Sequence, residues 1–331
     1  MSRAVLLPLL AGLVLALLAG SLLVGPAGLG VGESLAALVA GGKDRGAVAL
    51  VMQEVRLPRA LLGAMVGAAL GLSGAALQGL LRNPLAEPGL IGTSASAALG
   101  AVIALQTGIA ALHVLVLPGA ALLGAGVSVA LVVAIAGPRG GALTLILAGI
   151  AVSAFAAALT ALVLNLSPNP FAAAEIVFWT MGSLADRSMV HVWLALPLMA
   201  LGAAVLAATG RGLDALTLGE DAAEALGTDL RRLRMLTVGG VAALVGSATA
   251  VAGAVGFVGL VVPHILRPLV GARPSALLPA SALGGAAMVL AADIAVRLIA
   301  PDRDLKLGVL TAIVGAPFFL HLIWRLRARL A

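Results

Sequence analysis

The sequence predicts an all-α membrane protein of about ten spanning helices, on three observations. Of 331 residues, 62% are hydrophobic and only 10% charged, where soluble domains carry roughly a quarter charged residues. The apolar residues fall in continuous runs of about 20, the length a helix needs to cross a hydrocarbon core, whereas a barrel would alternate over strands of about ten. The 42 glycines favour helices that pack with their backbones close together.

The first run, 4–24, has an apolar core longer than the roughly 7–15 residues of a secretory signal, so it reads as a helix. Cutting at charges, prolines and glycine clusters places further segments at 57–80, 92–106, 111–136, 142–165, 190–209, 234–255, 258–268, 276–298 and 306–325. Those near 92 and 258 are too short to cross without tilt or protein cover. The stretch 171–186 is one more short, partly apolar element. The segments opening RLPRALLGAMVGAALGLSGAALQG and RLRMLTVGGVAALVGSATAVAG resemble one another and would run in opposite directions, as inverted transporter repeats do. Residues 1–331 read as one transmembrane domain.

The net charge is +6, but the basic residues sit between apolar runs, so they point to the lipid bilayer and not to nucleic acid. With ten crossings both termini share one side, which also holds most of the arginines, Arg211, Arg231, Arg232 and Arg234 among them. The positive-inside rule puts that side in the cytoplasm. The outward basic residues are then Lys43, Arg45, Arg56, Arg59, Arg187, Arg297, Arg303 and Lys306. Arg56 and Arg59 lie one helical turn apart and should project toward one outer patch, with Arg297 ending a later helix on the same side. They can receive carboxylates from a partner or anchor to lipid headgroups, and Arg297 can instead pair with Asp293 at i,i+4.

Other stretches carry weaker signals. Gly63, Gly67 and Gly71 line one helix face, which suits a transport pathway, a dimer seam or packing inside the bundle. The polar stretch 214–234 holds Thr217 and Glu220 at capping-box spacing, and Gly227 as a stop. It predicts a helix of about nine residues whose apolar side, Leu218, Ala222, Ala225 and Leu226, must rest on a partner or on the bundle. The run Arg82, Asn83, Pro84, Leu85, Ala86, Glu87, Pro88 and Gly89 reads as a structured loop on the cytoplasmic side, and Pro263, His264 and Arg267 as a second corner.

The chain has no cysteine, which excludes disulfides and thiolate chemistry. Neither Lys43 nor Lys306 stands in a glycine-lysine-serine/threonine phosphate loop, so no ATPase site is expected here. Gly71, Leu72, Ser73 and Gly74 spell a G-x-S-G pattern that an intramembrane serine protease could use with His264 or His113, a short match that chance supplies in a glycine-rich helix.

RLPR (56–59), GLSGAALQGLLRNPLAEPGLIG (71–92), LDALTLGEDAAEALG (213–227), GFVGLVVPHILR (256–267) and LGVLTAIVGAPFFL (307–320) together resemble the FecCD-type permeases, the membrane subunits of ABC importers for ferric siderophores, haem and cobalamin. The resemblance implies a type II importer permease of ten helices, working as a homodimer or pseudo-dimer in the bacterial inner membrane with the pathway at the interface. It implies two cytosolic ATPase subunits that bind ATP and Mg, and a periplasmic substrate-binding protein; no cofactor is expected in this chain. By position, Leu213, Asp214, Ala215, Leu216, Thr217, Leu218, Gly219, Glu220, Asp221, Ala222, Leu226 and Gly227 match the segment coupled to the ATPase, within 213–229. Arg56, Arg59 and Arg297 match arginines that receive acidic residues of the binding protein, and Gly141 and Ala142 stand where the cytoplasmic gate lies. Where relatives carry Glu-Leu-Pro before the last helix, this chain has Asp304, Leu305 and Lys306. The alternative class, an ion-coupled secondary transporter or channel, would place ionisable residues within its spans, and here Asp293 is the main one. Neither Gln78, Asn165, Trp179 nor Met181 distinguishes one substrate from another.

Overall fold

The computed structural model describes residues 3–25, 28–39, 46–137, 140–167, 170–301 and 305–330. Arg139 and Asp304 lie outside them, as do Lys43, Arg45 and Arg303. The helices are α1 (Arg3–Leu23), α2 (Val31–Val39), α3 (Ala47–Leu50), α4 (Leu57–Leu80), α5 (Thr93–Gln106), α6 (Val116–Ala136), α7 (Ala142–Asn165), α8 (Pro170–Thr180), α9 (Met189–Leu216), α10 (Glu220–Ala225), α11 (Leu230–Ala252), α12 (Val258–Leu266), α13 (Pro274–Ile299) and α14 (Leu307–Leu330). Among the described residues, eight helical stretches are long and apolar enough to span a membrane, with two shorter apolar ones at Thr93–Gln106 and Val258–Val270. These are the ten segments expected from hydropathy.

Several boundaries shift from expectation, two of them by more than five residues. The second span begins at Ala47 and not at 57, because α3 runs through a π-helical stretch, Val51–Arg56, into α4. There the Gln53 amide donates to the Ala37 carbonyl at 2.8 Å, holding the extension against α2. α9 runs on to Leu216 past Arg211 and Asp214, two charges at which a hydropathy cut stops. Both charges sit in its last two turns, where Asp214 finds partners outside the helix.

α4 and α11 form the centre, each 78% buried over its most apolar window, against 22% for α6 and α7. Glycine makes this possible. A Cβ on Gly67 would collide with the carbonyl of Gly285, one on Gly71 with that of Ser281, and one on Gly74 with that of Gly259. The stripe of small residues on α4 therefore faces α13 and α12 inside the chain, so the packing reading holds over a pathway or dimer seam.

The order of a buried helix, a short apolar helix and two long ones occurs twice, as α4 to α7 and as α11 to α14. The N-terminus of α11 and the C-terminus of α4 share one end of the bundle: α11 reaches α10 through Arg234 and Glu220, and Gly79 of α4 packs on Leu213 of α9. The two central helices therefore run in opposite directions, as the sequence likeness requires of an inverted repeat.

α5, at 14 residues, rises only about 21 Å, too little for a core roughly 30 Å thick. The connections that begin α5 and α12 are accordingly covered by protein. Ala86 is buried, Pro88 packs against Gly259, and the Glu87 carboxylate accepts the Phe257 backbone N–H at 2.7 Å. α12 starts beside Gly74, two turns before the end of α4, so the second half of the 82–89 loop dips into the bundle, while Arg82 and Asn83 stay exposed. The loop is structured and partly buried, because backbone at membrane depth is tolerated only where protein satisfies its polar groups. Pro263 and His264 also lie within α12 and not at a corner.

Candidate functional site: the two ends of the bundle

α13 runs about 39 Å between two polar ends, by its 26 residues. At one end meet the C-terminus of α1, the N-terminus of α4 and the C-terminus of α13, carrying Arg56, Arg59, Asp293 and Arg297. At the other meet α9, α10, the N-terminus of α11 and the N-terminus of α13, around Asp214.

At the Arg56 end, Asp293 is 1% exposed and takes two arginines. Arg59 bonds it through Nε at 2.9 Å and Nη2 at 2.9 Å, and Arg297 through Nη2 at 2.8 Å. The rest of Arg297 donates to the carbonyls of Ser21 at 2.8 Å and Val24 at 2.7 Å and to the Ser21 hydroxyl at 2.6 Å. Arg56 donates to the Leu22 carbonyl at 2.9 Å. The last carbonyls of α1, which have no helical partner, are thus capped by cations, where the helix dipole also favours positive charge.

The three arginines do come together, but turned inward: Arg56 is 4% exposed, packed beneath Gly25. The expectation of two guanidinium groups projecting from the surface is corrected in that respect. Asp293 is a shared counter-ion and not the i,i+4 partner of Arg297 alone, a relation that 234 residues of separation from Arg59 hid from spacing. Among the described residues, Asp293 is the one carboxylate bonded to these arginines, and Arg56 Nη2 is buried without an acceptor. Arg187, half-buried in the loop before α9, has its pKa lowered by desolvation, with Asp186 opposing the shift.

At the other end, Asp214 accepts from the Ser275 N–H at 2.8 Å and the Ser275 hydroxyl at 2.6 Å, fixing the end of α9 to the first turn of α13. Leu213, Leu216 and Ala223 are buried beneath it. No capping box forms. The Thr217 hydroxyl donates to the Asp214 carbonyl at 2.6 Å, finishing α9, and Gly219 at φ +109° starts a six-residue α10 instead of one of nine. Gly227 at φ +84° ends it. Glu220 pairs with Arg234 at 2.8 Å. Ala215, Gly219 and Ala222 are half-buried, whereas Asp221 and Thr217 are exposed and Leu218 and Leu226 are 68% and 66% exposed. The apolar side expected to rest on something thus leaves two leucines in the open.

Residues 13–325 match the FecCD transport family. The chain belongs to that family. Cobalamin import system permease protein BtuC of Halobacterium salinarum is 40% identical over 276 residues, 83% of this chain and 73% of that protein. The Fe(3+) dicitrate permease FecD of Escherichia coli is 39% identical over 277 residues, 84% of this chain and 86% of that one. The hemin transport permease HmuU of Yersinia pestis is 39% identical over 284 residues, 83% of each. A solved structure described as an inward-facing metal-chelate type ABC transporter superposes with a TM-score of 0.85 at 33% identity, covering 98% of this chain and 99% of that one.

In this FecCD permease the connection between α6 and α7 lies at the Asp214 end. Gly141 precedes α7 with extended backbone and Ala142 is its first residue; the side chain of Ala142 lies outside the described residues. Gln78 on α4 is 1% exposed, accepts from Arg267 at 2.6 Å and donates to the Leu260 carbonyl at 3.3 Å, which makes it a tie between helices. Ser73 is fully buried, and no histidine reaches its hydroxyl among the described residues, so the G-x-S-G match has no base. No cluster of metal-ligating side chains occurs among the described residues.

Proposed function

We propose that this chain is the permease subunit of an ABC importer that carries an iron chelate, a ferric siderophore or haem, or cobalamin, across the bacterial inner membrane. It works as a homodimer with both termini in the cytoplasm, driven by two cytosolic ATPase subunits that bind ATP and Mg, and loaded by a periplasmic binding protein. The observation that carries the reading is the segment from Leu213 to Gly227: its base is pinned by Asp214 and Ala223, yet Leu218 and Leu226 stand exposed. A rigid base with apolar side chains outside it fits a partner that must push on it without unfolding it.

The Arg56 end supports docking of the binding protein. Three guanidinium groups lie around one carboxylate, which Arg59 and Arg297 bond, so the cluster keeps an excess of positive charge that attracts an incoming carboxylate. The gate is assigned to Gly141 and Ala142 by their position before α7. Asn83 and Pro84 form a turn, the Asn83 carbonyl oxygen of the side chain accepting the Leu85 N–H at 2.9 Å, and Glu87 ties the loop to the start of α12 by accepting the Phe257 N–H.

The test is uptake into proteoliposomes carrying the chain, its ATPase subunits and the binding protein, offered a ferric siderophore, haemin and cobalamin in turn. ATP-dependent accumulation of one of them is expected. Transport by the chain alone down an ion gradient would instead establish a secondary transporter.

A further inference from the structure

At the Asp214 end a cavity of about 330 Å³ lies between α6, α7 and α11, and neither coupling nor docking uses it. This is at the low end of the roughly 300–1,000 Å³ of small-molecule sites. Its walls are apolar, with Val133 of α6, Leu145 of α7, and Met235 and Val238 of α11, while Arg231 and Arg234 supply the charge.

Its position decides what it can hold. Arg231 and Arg234 occupy the first turns of the α11 span, Leu230–Ala252, Val238 lies deeper in it, and Val133 stands one turn from the end of the α6 span. The cavity therefore has cations at the level of the headgroups and apolar walls at the level of the acyl chains. It also lies behind α7: Leu145, which lines it, is 7% exposed, while Leu143 and Leu147 on the opposite face of the helix are 69% and 56% exposed. The rim is open between α6 and α11, where Val133 and Met235 are 38% and 54% exposed.

Arg234 is engaged by Glu220, while Arg231 is exposed at the rim and makes no ion pair among the described residues. An unpaired arginine beside an apolar cavity at a bilayer boundary calls for an amphiphilic anion. We propose that the cavity binds one anionic phospholipid, its phosphate on Arg231 and the outer edge of Arg234, and the start of an acyl chain among Val133, Met235 and Val238. Such a lipid touches Arg234, which anchors α10, and Gly140, which precedes α7, so it bridges the coupling segment and the α6–α7 connection.

The test is native mass spectrometry of the delipidated full-length chain titrated with phosphatidylglycerol or phosphatidylcholine. One phosphatidylglycerol should bind in preference to phosphatidylcholine. Arg231→Gln should weaken phosphatidylglycerol about fivefold, as expected for one arginine near a membrane surface, and leave phosphatidylcholine unchanged. Ala134→Phe, at an exposed position lining the cavity, should displace the lipid by filling the space without disturbing the core. The proposal is overturned by equal binding of the two lipids, by wild-type affinity in either variant, by competition from inorganic phosphate at equal concentration, or by expulsion of the lipid when the ATPase subunits are added.

Discussion

The two ends of α13 solve opposite problems. At the Arg56 end three cations are drawn inward onto Asp293 and the carbonyls of α1, so that charge is stored in a fixed arrangement. At the Asp214 end the polar groups sit at the base and the leucines point outward. On the roles proposed for the two ends, the difference teaches that recognition by charge needs preorganisation, because a buried arginine without partners would be costly. Recognition by apolar contact needs only a supported perch.

The largest effect should come from breaking the buried pairing. Asp293→Ala leaves Arg59 and Arg297 facing each other without a counter-ion, which should destabilise by roughly 3–5 kcal/mol and lower the thermal unfolding midpoint in detergent. A midpoint near that of the wild type would show that the cluster is not preorganised by Asp293. Next comes the packing that holds both ends in register. Gly67→Ala forces a Cβ into the Gly285 backbone and should lose about 1–3 kcal/mol, read by the same melt. Glu87→Ala removes the acceptor at the start of α12 and should lose about 1 kcal/mol, with faster hydrogen exchange at the Phe257 amide as its specific mark. Arg56→Gln removes a cap on the last carbonyls of α1 together with a cation, so it should lose about 1 kcal/mol in the melt and lower stimulation of ATPase activity by the binding protein severalfold.

Much of this architecture is legible in the sequence because a bilayer imposes a length. Runs of about 20 apolar residues announce the spans, and the shortness of the segments near 92 and 258 announces that protein must cover them. The extension of the second span to Ala47 is not legible, since Gln53, Glu54 and Arg56 look like a loop until Gln53 is seen bonded to Ala37. Nor is the overrun of α9, where Asp214 resembles a stop signal and is in fact satisfied by Ser275, 61 residues away. At the candidate sites, residue types were legible and directions were not. Arg56, Arg59 and Arg297 were expected to share one end, but whether they face outward or inward is decided by α1 and Asp293, which local spacing does not reveal. Thr217 and Glu220 have the spacing of a capping box, but the preceding helix claims the threonine first.

The smallest expected effect on stability is at the exposed leucines, and it carries the central claim. Leu218→Ser with Leu226→Ser should change the melt of the full-length chain by no more than about 0.5 kcal/mol per site. Binding of the ATPase subunits to that variant, measured alongside ATP-driven uptake in proteoliposomes, should weaken about tenfold or more, with uptake falling in parallel. Wild-type binding and wild-type uptake in the same variant would contradict the account.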